Sequence, residues 1–238
     1  MPVREPGLPR KTHHVTKDVH PLKWSEGDRK KAIELLDVSR ETLARLDCYA
    51  ELIVKWQPAV NLVASSTIAS LWSRHILDCA QIARIGGEHR RWLDLGSGAG
   101  LPGLVIAILL AGRPGVGVDL IESDQRKAAF LREAARLTGA PACVHAVRIE
   151  KAVSHFIGKV TAVTARALAP LPRLLGLAEP LLTNGAEGFF PKGQALELEL
   201  AQASARFAFE ARIVSSEAEA KGRVVVIRGL QRRRALGV

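Results

Sequence analysis

Between Trp92 and Gly103 the chain reads Trp-Leu-Asp-Leu-Gly-Ser-Gly-Ala-Gly-Leu-Pro-Gly. An apolar run that breaks into closely spaced glycines lets the backbone turn sharply at the end of a buried strand, where a ligand can approach without meeting side chains. An apolar helix follows, expected over roughly 101–111, and its N-terminal N–H groups face the same place. Pro102 suits its first turn, where a missing donor costs nothing.

Two cofactors fit such a turn. Gly98, Gly100 and Gly103 match the dinucleotide fingerprint, with an acid, Glu122, about 20 residues beyond. That frame leaves Gly96 and Ser97 inside the strand, a poor place for them. The other frame, Asp94-x-Gly96-x-Gly98-x-Gly100, starts at the strand end, and a carboxylate there suits a sulfonium-bearing methionyl group better than a pyrophosphate. This frame is preferred, with a nicotinamide-dependent oxidoreductase as the rival and a ligand-free turn as the third reading. Glu122 would accept hydrogen bonds from both ribose hydroxyls of an adenosine, and Ile149 and Glu150, after the third strand, fall beside the adenine.

From residue 91 onward, strands alternate with helices. Strands are expected over 91–95, 116–121, 142–147, 160–165 and 188–190, with helices over 124–137, 151–157, 171–182 and 196–205. Two last β stretches, 207–214 and 223–228, have no helix between them. The pattern implies an α/β, Rossmann-like, mostly parallel sheet with an antiparallel C-terminal edge hairpin. Three helical segments precede it. Ser25 and Asp28 have capping-box spacing, Ser39 caps a longer helix that Pro58 ends, and a third carries His75, Asp78 and Cys79. The division expected is a flexible basic arm over 1–24, a helical region over 25–88 and a cofactor-binding domain over 89–238.

A net charge of +10, from 34 basic and 24 acidic residues, favours a polyanionic partner. The longest apolar run is far shorter than the roughly 20 residues that span a bilayer, so no membrane role is expected. Cys48, Cys79 and Cys143 suit neither a disulfide framework nor a zinc site, and are expected as small buried hydrophobes in a reducing cytosol, with no metal.

Beyond single motifs, Trp56 to Val63 (WQPAVNLV), Arg74 to Asp78 (RHILD), Asp94 to Gly103 (DLGSGAGLPG), Thr164 to Leu168 (TARAL) and Lys192-Gly193-Gln194 occur in this order. In this combination the chain resembles the RsmG (GidB) family, bacterial 16S rRNA guanine-N7 methyltransferases, from about residue 30 to the end. The resemblance implies a class I methyltransferase fold, S-adenosyl-L-methionine as cofactor, 16S rRNA or the small ribosomal subunit as partner, guanine 527 as target, and a cytoplasmic monomer. It puts cofactor contacts on Gly96, Leu101, Ile149, Glu150 and Arg166. Glu122 stands where many relatives have Asp, and the arm has no counterpart.

Guanine N7 has an in-plane lone pair and no proton, so its methylation needs no general base, and alignment alone can supply roughly 7–11 kcal/mol. No triad is expected, and Arg166 is the candidate to bridge cofactor and guanine, with an ion pair to Glu150 or Asp94 as the plainer alternative. His75 and Asp78 are expected to be structural, and Arg232-Arg233-Arg234 a solvated tail. Other readings are a methyltransferase acting on another RNA or a small molecule, and a non-catalytic ribosome-assembly factor.

Overall fold

A computed structural model of the protein describes residues 23–218 and 221–233. The basic arm expected over 1–24 lies, through residue 22, outside the described residues. Seven strands form one sheet: β1 (Arg91–Leu95), β2 (Gly117–Ile121), β3 (Ala142–His145), β4 (Ala162–Thr164), β5 (Glu187–Lys192), β6 (Phe207–Ser215) and β7 (Arg223–Arg232). Their order is β3-β2-β1-β4-β5-β7-β6. The first five run parallel, and β7 enters antiparallel between β5 and β6. The hairpin therefore joins the sheet through its second strand. β6, with mostly half-buried or exposed side chains, makes the edge.

Alternation along each strand divides the core in two. Trp92, Val118, Leu120, Phe189, Val224 and Val226 face one side, whereas Leu93, Leu95, Ile121, Val163, Phe190, Val225 and Ile227 face the other. Helices α6 (Ile149–Ala152), α7 (Leu171–Leu182) and α8 (Leu196–Ser204) cover the second face. The first is covered by α4 (Gly103–Leu110) and α5 (Gln125–Thr138) together with the helices that precede the sheet, α1 (Glu26–Leu36), α2 (Arg40–Val60) and α3 (Asp78–Ile85). Ala32, Leu46, Tyr49, Ile53, Trp72 and Ile76 thus share one core with Trp92 and Leu104.

Local chemistry departs from the sequence expectations in three places. Helix α2 runs through Pro58 to Val60 and stops at Asn61, whose φ of 51° is left-handed and whose N–H bonds the Gln57 carbonyl. A proline this near the C-terminus removes only one hydrogen bond, so the helix survives it. Ser25 caps α1 by accepting from the Asp28 N–H at 3.3 Å, but the Asp28 carboxylate turns away from its own helix. It accepts from the N–H groups of Trp72 and Ser73 at 3.0 and 3.2 Å. Those residues open a turn of π-helix, Trp72–Leu77, that continues directly into α3.

Candidate functional site

The C-terminal ends of β1, β2 and β4 open into a cleft of about 690 Å³, the position at which open α/β sheets bind ligands. Its floor is the glycine turn. Gly96, Gly98 and Gly100 all have positive φ, at 67°, 57° and 86°, a conformation that suits glycine. Only Gly96 and Gly98 line the cleft. Gly100 was expected to touch a cofactor, but a Cβ there would lie 2.7 Å from Leu104 Cβ, so its bare face is used for packing. Gly103 likewise closes the α4–sheet contact, where a Cβ would sit 2.6 Å from that of Asp94. Of the two open glycines, Gly98 belongs to both frames and Gly96 only to the Asp-x-Gly-x-Gly one.

Two neighbours brace the turn. Glu122 accepts from Gly98 N–H at 2.9 Å through one oxygen and from Asp124 N–H at 2.7 Å through the other, while still lining the cleft. From α2, the Tyr49 hydroxyl donates to the Ala99 carbonyl at 2.6 Å. Asp94 lies beneath the turn instead of facing the cleft. It is fully buried, with Oδ2 accepting from Gly103 N–H at 3.2 Å and Oδ1 unpartnered. Burial pushes its carboxyl up to about 7, which disfavours ionisation by roughly 4 kcal/mol. Such a group gains from a nearby cation.

Leu101, Ile149, Glu150 and Arg166, on which the resemblance puts cofactor contacts, also line the cleft. The opposite lip, Leu62 to Ala64, was not anticipated. Gln57 holds it: its carbonyl accepts from Leu62 and Val63 N–H at 2.8 and 3.0 Å, and its amide donates to the Val63 carbonyl at 2.6 Å. A glutamine directly before Pro58, near the end of the helix, was the available sequence signal.

The segment Arg166–Ala169, after β4, forms the wall between this cleft and a second cavity of about 580 Å³. Ala167 has φ 54°, a left-handed conformation that costs a non-glycine residue roughly 1–2 kcal/mol. Lys192 and Glu199 hold the far end of the wall. Lys192 donates to the Ala169 carbonyl at 2.8 Å and pairs with Glu199 at 2.8 Å, and Glu199 accepts from Leu171 N–H at 2.6 Å. Arg74, Asp78, Lys192, Glu199 and Arg223 line the second cavity, so its polarity comes from charged side chains.

Arg166 pairs with neither Glu150 nor Asp94, the two partners considered from the sequence. Its side chain points back to the π turn, 2.9 Å from His75 Nδ1 and 3.8 Å from the Asp78 carboxylate. A guanidinium only donates, so His75 Nδ1 must accept and Nε2 must carry the proton. Nε2 lies 2.8 Å from the Thr67 hydroxyl, which in turn donates to the Ala64 carbonyl at 2.7 Å. Burial, reinforced by Arg166 and Arg74, pushes His75 down to about 3, so it is neutral at physiological pH. His75 and Asp78 thus both hold Arg166 in place.

Cys79 alone among the three cysteines is buried. Cys48 is half-buried and Cys143 exposed, because β3 is an edge strand. Cys143, His145 and Asp119 bring potential metal-ligand atoms within 4.8 Å of one another. His145 Nε2 is 2.7 Å from Asp119, and Arg91 already lies 3.5 Å from that carboxylate. In the C-terminal arginine run, Arg232 pairs with Glu179 and Arg233 donates to the Phe207 carbonyl. Arg234 lies outside the described residues. No helix among the described residues is long and apolar enough to cross a membrane.

Solved structures share the fold at low identity. An O-methyltransferase from Bacillus cereus in complex with SAH is 12% identical with a TM-score of 0.54, covering 86% of this chain and 98% of that one. A mutant of MtNAS in complex with S-adenosylmethionine is 17% identical with a TM-score of 0.53, covering 84% and 75%. Two relatives are far closer in sequence, both named ribosomal RNA small subunit methyltransferase G. That of Parvibaculum lavamentivorans is 52% identical over 197 residues, 82% of this chain and 87% of the relative. That of Nitrobacter hamburgensis is 46% identical over 209 residues, 88% and 80%. The family model described as rRNA small subunit methyltransferase G matches residues 42–230, and with it the chain belongs to that family.

Proposed function

We propose that the protein transfers the methyl group of S-adenosyl-L-methionine to N7 of a guanine in 16S rRNA, guanine 527, in the cytoplasm. The observation that carries this reading is the pair of cavities sharing one wall, Arg166–Ala169. One is shaped by bare backbone and acids for an adenosine, and the other is walled by charged side chains for a nucleotide. The residues present fit the cofactor. Gly96 and Gly98 leave room at the turn, Glu122 has lone pairs left for ribose hydroxyls, and Ile149 and Glu150 flank the adenine end. The unpartnered Oδ1 of Asp94 lies beneath the turn as a counter-charge for a cation. When bound, the cofactor supplies an electrophilic methyl on sulfur.

The remaining work is placement, because guanine N7 brings its own lone pair and no proton must be removed. His75 is unsuited to act as a base, since its Nδ1 is occupied by Arg166 and its proton affinity is low. Its role is to orient Arg166 at the shared wall, where the guanidinium can hydrogen-bond a guanine edge or a carboxylate. Lys192 and Glu199 fix the wall from the far side.

The test uses small ribosomal subunits from cells lacking the gene, incubated with the protein and labelled cofactor and then cleaved with borohydride and aniline. One strong stop at guanine 527 is expected. Label on another nucleotide, or in RNA that resists this cleavage, would overturn the N7 assignment.

A further inference from the structure

The concave surface continues past the adenine end of the cleft. Val147 and Arg148 line the cleft and also a hollow of about 510 Å³ that includes Lys151. Val147 and Lys151 in turn reach a third hollow, of about 410 Å³, with His155 and Lys159. Shared residues make this one trough, running outward beside β3, the edge of the sheet.

Its cations differ from most others in the molecule. Elsewhere Arg136, Lys192, Arg228 and Arg232 are each paired with a glutamate. The side chains of Arg148, Lys151 and Lys159 have no ion pair or hydrogen bond among the described residues. Asp124, the acid in the middle hollow, already caps α5 through the N–H groups of Arg126 and Lys127. Unneutralised cations in a concavity concentrate a positive potential. Phe156 is buried and packs at a steep angle against His145, so it offers no open face for stacking a base. This chemistry suits phosphates and does not read sequence.

We propose that the trough holds backbone phosphates of the rRNA strand next to the target guanine, an inference that rests on the rRNA reading above. It would guide the strand along the sheet edge while a base enters the second cavity.

The test compares binding of unmethylated small subunits by the wild type, by K151Q/K159Q and by K30Q/K31Q, over a range of salt concentrations. Lys151 and Lys159 do not line the cleft, and Lys30 and Lys31 are exposed on α1. Each single-strand phosphate contact contributes a slope of about 0.7 to log affinity against log salt. K151Q/K159Q should therefore lower the slope by about 1.4 and weaken binding at low salt, with cofactor affinity and the rate at saturating subunit unchanged. The K30Q/K31Q control, which loses the same charge, should keep the wild-type slope. A wild-type slope in K151Q/K159Q, or an equal loss in the control, would overturn the trough. The slope is read from binding alone, so a wild type that binds with its full slope yet transfers no methyl would defeat the methylation reading separately.

Discussion

The two cavities on either side of Arg166–Ala169 are built from different materials. The cleft owes its shape to main chain: two left-handed glycines, a buried acid beneath them and N–H groups tied to Glu122. The second cavity owes its character to long charged side chains anchored on β5, β7 and the π turn. Main-chain geometry varies little, which suits a constant ligand, whereas side chains can be matched to one particular partner. Changes in the cleft should therefore alter cofactor affinity, changes in the second cavity should alter use of the RNA, and Arg166, touching both, should alter the rate.

The largest effect is expected for Gly96→Asp. It forces a side chain into a φ of 67° and against Leu168, 2.7 Å from the new Cβ. Cofactor affinity, measured calorimetrically, should fall by more than about 100-fold, at a stability cost of roughly 1–2 kcal/mol. A folded variant with wild-type affinity would show that the cofactor does not pass over this turn.

Arg166→Lys comes next. It keeps the charge but loses the planar fork that reaches His75 and Asp78 together. The turnover rate should drop by roughly 10–100-fold with cofactor affinity nearly unchanged. Equal losses in both would place Arg166 in the cleft alone.

For Glu199→Gln, the weaker grip on Lys192 should loosen the wall from the RNA side. KM for the subunit should rise by about 5–10-fold, and an effect confined to cofactor affinity would erase the distinction between the cavities.

The smallest effect concerns pH. Asp94 has a folded-state value of about 7, above its ordinary 3.8. The native protein then binds the extra proton between those values, so Asp94 lowers stability as pH rises from about 4 to 7. A cationic cofactor favours the ionised form. Its affinity should therefore rise by a few-fold between pH 6 and 8, with proton release visible as a buffer-dependent binding enthalpy. Asp94→Asn should flatten that dependence, and an unchanged slope in the variant would mean that another group is responsible.

Much of this was legible in the sequence, for identifiable reasons. Helix α7 matches its expected bounds of 171–182 because its apolar face repeats regularly and prolines mark its start. The glycine turn was readable because few other roles suit so many glycines after a strand. The destinations of polar side chains were not readable. Asp28 looked like part of a capping box because spacing is local, while its partners are 44 and 45 residues away. For Arg166, charge alone suggests Glu150 or Asp94 as an alternative ion-pair partner, whereas packing of the π turn presents His75 and Asp78 instead. Gly100 was grouped with its neighbours because a motif does not record which face of a turn meets the helix behind it.

The Tyr49 hydroxyl bond to Ala99 reaches from a helix well before the sheet into the ligand turn itself. A fragment beginning at β1 would therefore lose more than an accessory layer. The Ala99 carbonyl would be stripped of its donor, and the apolar flank of α4 would be laid bare to water. Any attempt to transplant this catalytic sheet onto another scaffold must carry the preceding helices along as its back wall.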